Sequence, residues 1–259
     1  MSIHRVPTGI PKLDELIEGG FPSDSMILLV GYPGAGKTIF SGQFIHIGAA
    51  KHGARGVYAC FCETKETFIR NMLRFGWDFE RLERDKRIAI LDLAVTREAG
   101  LQTNLNTIME SMTSLNASRL VIDSFSAINM ALKEAIDIRV MIHLLYKFLK
   151  KANCVSILVQ DQPWGSTQIG QGICEFIADG IIHLETYFDK ENRFRRRLRI
   201  LKMRGTNHTK VPHEYDITDE GFIMLEGQSV EASPSDVKAR KSRREPYFPF
   251  EEKEKTVDF

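Results

Sequence analysis

A chain of 259 residues with 43% apolar and 27% charged residues carries enough hydrophobic material for one core of α/β size, which excludes disorder as its global state. Its 35 Lys and Arg nearly balance its 34 Asp and Glu, and a formal charge of +1 gives no whole-molecule field toward nucleic acid or acidic membranes. The start, MSIHRVPTGIPKLDELIEGG, lacks a secretory pattern, no apolar run is long enough to span a bilayer, and four cysteines in strand-like or apolar surroundings suit a reducing compartment, so a cytoplasmic, membrane-free protein is expected.

Short apolar runs alternate with longer segments of helical spacing, the pattern of a mostly parallel α/β sheet. Met26 to Val30 reads as a first buried strand, and the segment after Lys37 reads as its helix, closed by Gly53. Val57 to Phe61 is a second strand, with Cys60 and Cys62 as two small side chains on one of its faces. They are not read as a metal pair, because no second close pair completes a tetrahedral set. A helix through Phe68 to Phe75 follows, then a strand at Arg87 to Leu93, a helix at Leu105 to Leu115 and a strand at Leu120 to Asp123. From Ile138 to Lys151, Met141, Ile142, Leu145, Phe148 and Leu149 recur at spacings of three and four, an amphipathic helix that covers the sheet. Val155 to Val159 is the next strand. Ile181 to Leu184, Leu198 to Met203 and Tyr215 to Thr218 then follow with short connections, an antiparallel extension at the sheet edge. The domain is expected over 1–226. Residues 227–259 read as a flexible charged tail whose island EPYFPF is available to dock a protein partner or to fold back.

The segment GYPGAGKT, from Gly31 to Thr38, fits the phosphate-loop pattern G-x-x-x-x-G-K-[ST] and stands between a strand and a helix. Average residue frequencies give a chance match in such a chain of roughly one per cent. Glycines let successive backbone amides close around phosphate oxygens, and the helix N-terminus adds positive potential. The cofactor-binding set is therefore Gly31, Pro33, Gly34, Ala35, Gly36, Lys37, Thr38 and Ile39, for ATP or ADP with Mg²⁺. Lys37 reaches for the β- and γ-phosphates, and Thr38 ligates the metal. Asp123, ending the strand RLVID, is the candidate second metal ligand, and this assignment expects its strand to lie beside the strand that feeds the loop.

TGIPKLDELIEGGFP before the loop, RNMLRFGWDFERL, LVIDSFSAI, EFIADGIIHLE and LKMRGTNH together resemble segments of the KaiC family, in family order, over about Val6 to Leu225. The resemblance implies a RecA-like P-loop NTPase assembled as a hexameric homo-oligomeric ring with nucleotide between subunits. It implies that Lys202 and Arg204, two apart on a strand, face the γ-phosphate of a neighbour's ATP. Thr206, His208, Thr218 and Asp219 would contact the ribose, base or phosphates of that same nucleotide. It places Trp77 near the nucleotide, against the plainer reading of core packing.

Two departures from the family pattern matter. The strand that usually ends in paired acids reads Ala59-Cys60-Phe61-Cys62-Glu63-Thr64, so Cys62 replaces the acid taken to activate water. A thiol orients water and accepts a proton poorly, and strand alternation turns Glu63 the other way. The expectation is strong ATP binding with weak hydrolysis, Glu63 being the remaining candidate base. Where clock KaiC carries Ser and Thr phosphosites, this chain has Glu175 and Phe176, which disfavours autokinase activity. The alternative is a RadA-paralogue-like ATPase binding single-stranded DNA through Arg193, Arg195, Arg196, Arg197 and Arg199 and through KARKSRR at 238–244.

Overall fold

The computed structural model describes residues 3–94, 98–131, 135–166, 169 and 174–229. In chain order the elements are β1 (Arg5–Val6), α1 (Pro11–Leu16), β2 (Phe21–Pro22), β3 (Met26–Gly31), α2 (Lys37–His52), β4 (Gly56–Cys60), α3 (Lys65–Leu73), α4 (Phe79–Arg84) and β5 (Ile88–Asp92). There follow α5 (Glu98–Leu115), β6 (Arg119–Asp123), α6 (Phe125–Ala131), α7 (Ala135–Lys151), β7 (Val155–Asp161), α8 (Cys174–Ile177), β8 (Gly180–Phe188), β9 (Phe194–Met203), β10 (His213–Thr218) and β11 (Gly221–Ser229).

One nine-stranded sheet has the order β11-β10-β9-β8-β3-β7-β6-β4-β5. The block from β5 to β8 pairs in parallel, and β9, β10 and β11 are added antiparallel at the β8 side. This is the mostly parallel sheet with an antiparallel C-terminal extension that the apolar pattern predicts.

Successive residues of a strand face opposite sides, and β3 shows it: Ile27 and Leu29 join one hydrophobic layer, Met26, Leu28 and Val30 the other. The first layer is completed by Phe40 and Phe44 of α2, Phe68 of α3 and Phe79 of α4. The second is completed by Ile108 of α5, Phe125 of α6, and Ile142 and Leu145 of α7. Every residue of β3 is buried, as a strand covered on both faces must be. Such a strand ends where the helix layers part, so whatever follows Gly31 is presented at the sheet's carboxyl edge.

Three short features escape the sequence pattern. The pair β1–β2 forms its own small sheet, Arg5 opposite Pro22 and Val6 opposite Phe21. The six-residue α4 starts from Asp78, whose carboxylate accepts the Arg81 amide at 2.8 Å. Strand β11 continues to Ser229, past the domain end expected at 226, and the segments 230–259, EPYFPF and KARKSRR among them, lie outside the described residues.

Candidate functional site

The loop between β3 and α2 has the backbone the motif requires. Gly34 (φ 76°) and Gly36 (φ 84°) lie in the left-handed region that favours glycine. A side chain at Gly36 would also meet Ile217 Cδ1 at 2.5 Å, and one at Gly31 would meet the Leu184 carbonyl oxygen at 2.7 Å. Gly36 is the N-cap of α2 and supplies no side-chain acceptor, so the first amides of the helix are left to a ligand. From the antiparallel extension, the Tyr215 hydroxyl donates to the Ala35 carbonyl at 2.7 Å and fixes the loop's far wall.

Thr38 opens α2 with its hydroxyl donating to Asp123 Oδ2 at 2.8 Å. Tyr58, buried on β4, donates to the same oxygen at 2.8 Å. Burial raises the Asp123 carboxyl above its ordinary value, against the opposing effect of these two hydrogen bonds. Burial and the Asp123 charge together push the Tyr58 phenol well up, which keeps it a donor. Asp123 thus reaches Thr38 as expected, but the expected strand adjacency is wrong: β7 lies between β3 and β6. The side chains meet because both strands end at the same edge, so contact across the gap does not require neighbouring strands.

A hydroxyl and a carboxylate 2.8 Å apart are hard oxygen donors of the kind Mg²⁺ takes, the remainder of its shell coming from phosphates and water. Among the described residues no group of three or more His, Cys, Asp or Glu forms a self-sufficient metal cage. The pair fits a phosphate-borne Mg²⁺.

Lys37 Nζ donates to the carbonyls of Gly31 (3.0 Å) and Tyr32 (3.2 Å) and lies 3.2 Å from Asp161 Oδ1. Sequence reasoning passed over Asp161, although it follows the apolar run of β7 as Asp123 follows that of β6. Tyr58 was also missed; within an apolar strand nothing marks its hydroxyl as a partner of a distant carboxylate.

Strand β4 ends at Cys60, before the two positions on which the hydrolysis argument turned. Cys60 is buried, whereas Cys62 is exposed and lies 3.2 Å from Ser124 Oγ, so the two cysteines do not share a strand face. Strand alternation therefore does not turn Glu63 away. Its side chain lines a cavity of about 450 Å³ together with Thr38, Ile39 and Asn71. Burial and the nearby Asp123 charge hold Glu63 above the usual carboxylate range.

The residues expected to meet a neighbour's nucleotide fall into two places. Lys202 Nζ donates to the carbonyls of Glu175 (3.0 Å) and Phe176 (3.3 Å), and Arg204 to those of Phe176 (3.1 Å) and Ile177 (3.4 Å) and to Asp179 Oδ1 (3.2 Å). Both cations reach the Phe176 carbonyl, although β9 ends at Met203 and Arg204 lies in the turn after it, so strand alternation does not set its direction. Thr206 accepts from Arg5 at 2.6 Å, and His208 lies beside Thr209 and Lys210. Met203 pairs with Gly180, and Gly180 with Ile27, at the start of β3, so this group occupies the sheet edge opposite the loop. Thr218 ends β10 next to Ile217, which packs on Gly36, and Asp219 in the following turn lies 3.5 Å from Arg74, so neither is brought together with Lys202.

Arg193, just before β9, and Arg195 pair with Asp189 of the β8–β9 turn, Arg196 with Asp216, and Arg197 and Arg199 with Glu185. Trp77 is 5% exposed and stacks on His46, which makes it core packing.

A family model described as "ATPase: KaiC" matches residues 6–229. A UPF0273 protein of Pyrococcus furiosus is 32% identical over 237 residues, which span 86% of this chain and 94% of that relative. A circadian clock oscillator protein KaiC of Prochlorococcus marinus is 30% identical over 233 residues, 87% of this chain but 46% of that longer protein. The crystal structure of a KaiC-like protein from Pyrococcus horikoshii superposes with a TM-score of 0.78 at 37% identity, covering 86% of this chain and all of that one.

Proposed function

The chain belongs to the KaiC family of ATPases, and from that premise we propose a nucleotide-dependent regulatory or assembly module that binds Mg·ATP at Gly31 to Thr38, hydrolyses it slowly and works as a ring of like subunits. The observation that carries this reading is the Thr38–Asp123 pair set at the mouth of a loop bent by two left-handed glycines. When bound, Mg²⁺ neutralises phosphate charge at the bond to be broken.

The chain's own groups do the rest. Amides of Gly34 to Thr38 receive phosphate oxygens, Lys37 binds the β- and γ-phosphates, and Thr38 and Asp123 hold the metal while Tyr58 orients the carboxylate. Glu63 is the candidate base for attacking water, a role supported by its sharing a cavity with Thr38.

Geometry supports the ring. From Ile27 to Gly31 is four strand steps, about 13 Å at about 3.3 Å per residue, so Lys202 and Arg204 start from the far edge of the sheet relative to their own loop. A neighbour's nucleotide is the phosphate group such a pair can serve. Glu175 and Phe176 offer no hydroxyl, so self-phosphorylation at those positions forms no part of the activity. The single-stranded DNA alternative rests on the arginines between 193 and 199, whose ion pairs within the chain reduce the charge they offer, and on 238–244, which lies outside the described residues.

Calorimetric titration with Mg·ATP tests the reading. The wild-type protein is expected to bind with heat released at the loop, and Lys37→Ala to weaken that binding at least tenfold. Absence of binding by the wild type overturns the proposal.

A further inference from the structure

Asp161 ends β7 in register with Gly31, so its carboxylate stands at the neck of the phosphate loop. Its amide donates to Ser126 Oγ at 2.7 Å, which anchors the backbone beneath the side chain. An ammonium has three N–H donors. Those of Lys37 face three acceptors at 3.0 to 3.2 Å, the Gly31 and Tyr32 carbonyls and Asp161 Oδ1, so the cation is saturated by its own chain. The Lys37 side chain is only 10% exposed, whereas that of Asp161 is 51% exposed. Phosphates gathered by the loop need the donors that these acceptors hold.

Resting on the ATP-binding reading above, we propose that Asp161 is a latch: a positioning residue that holds Lys37 until the nucleotide's phosphates displace it, and thereby sets the affinity of the site. Two anions compete for one cation, and the one that loses remains beside the other. Like charges held this close repel one another, and more strongly near a protein surface than in bulk water. The carboxylate therefore opposes phosphate entry twice, by occupying Lys37 and by its own charge.

The latch continues into a reporter. Past Asp161 the chain runs to Trp164, which stacks on loop residue Tyr32 with ring centroids 5.4 Å apart, and the Tyr32 hydroxyl donates to the Ser166 carbonyl at 3.2 Å. Release of Lys37 is transmitted to this stack through Asp161 and Tyr32, both of which the lysine touches.

The experiment compares wild type, Asp161→Asn and Asp161→Glu, titrated with Mg·ATP and Mg·ADP and followed by heat and by tryptophan emission. Asp161→Asn is expected to bind Mg·ATP about three- to tenfold more tightly, the gain for Mg·ADP being smaller, while Asp161→Glu keeps the charge and stays near wild type. Equal or weaker binding by Asp161→Asn overturns the latch and leaves ATP binding standing, whereas no heat from any of the three overturns the ATP reading. A readout without nucleotide is the rate at which an amine-acylating reagent labels Lys37, measured by peptide mass spectrometry. Faster labelling in Asp161→Asn supports the latch, and an unchanged rate overturns it. Should the asparagine variant fail to fold, Asp161→Ala carries the same expectations.

Discussion

Cys62 sits where a carboxylate would be expected, exposed and hydrogen-bonded to Ser124, while Glu63 lines the cavity that contains Thr38. A positioned general base contributes about 10² to 10⁴ in rate, and a thiol in place of a carboxylate supplies little of that. Cys62→Glu is therefore expected to raise the steady-state ATPase rate at least tenfold at pH 7.5. If the wild type already turns over rapidly and the substitution changes nothing, slow hydrolysis is wrong. A carboxylate introduced there also approaches Asp123, so the measurement includes the Mg·ATP affinity, which separates a faster chemical step from a weakened metal site. The residue scale also shows why Glu63 was misread: alternation holds only while the chain is a strand, and β4 stops at Cys60, after which Phe61, Cys62 and Glu63 form a bend.

At the scale of elements, α2 couples the loop to the core, and its middle carries a titratable probe. His46 stacks on Trp77 at 5.5 Å and packs against Phe79 at 5.8 Å, and burial lowers its pKa to about 4. The unfolded chain protonates this ring near pH 6.5, so between the two values the unfolded state binds more protons. Stability is then fully present above about pH 6.5 and is lost as pH falls toward 4, by about 1–2 kcal/mol once partial exposure is allowed for. Urea unfolding at pH 7.5 and pH 5 is expected to show a smaller acid loss for His46→Phe than for wild type, and equal losses would exclude His46 as the source.

The elements also differ in how legible they are. Buried strands such as β3 and β6 announce themselves as short apolar runs, β7 by a run broken only at Ser156, and α7 by its three-and-four spacing. The pair β1–β2 and the six-residue α4 are too short to show a period, and are held by pairing and by the Asp78 cap. Strand β11 went unread although its partner β10 was anticipated at Tyr215 to Thr218, because β11 runs straight into the polar tail and its place is set by pairing with β10. The loop and Asp123 were readable because their chemistry is written in adjacent residues. Asp161 and Tyr58 were not, because their roles exist only where strands separated in sequence end together.

For the whole molecule, Lys202 and Arg204 decide whether the chain works alone. In the single chain they are spent on the last carbonyls of α8 and on Asp179, at the sheet edge opposite the loop, an arrangement that does nothing for nucleotide bound to the same subunit. If they serve a neighbour, a defect in the loop and a defect in these cations fall on different partners of each interface and complement one another. Lys37→Ala subunits lose their own nucleotide but still lend Lys202 and Arg204, while Arg204→Ala subunits bind nucleotide but lend an impaired pair. Mixed in equal amounts, with co-assembly verified by light scattering, the two inactive variants are expected to recover about a quarter of wild-type ATPase activity, because about one interface in four joins an intact loop to an intact cation pair under random closed-ring assembly. Both substitutions placed in one chain recover nothing when mixed with themselves. A co-assembled mixture that stays as inactive as its components removes the neighbour role, and with it the reason to place these two cations in the ATPase site.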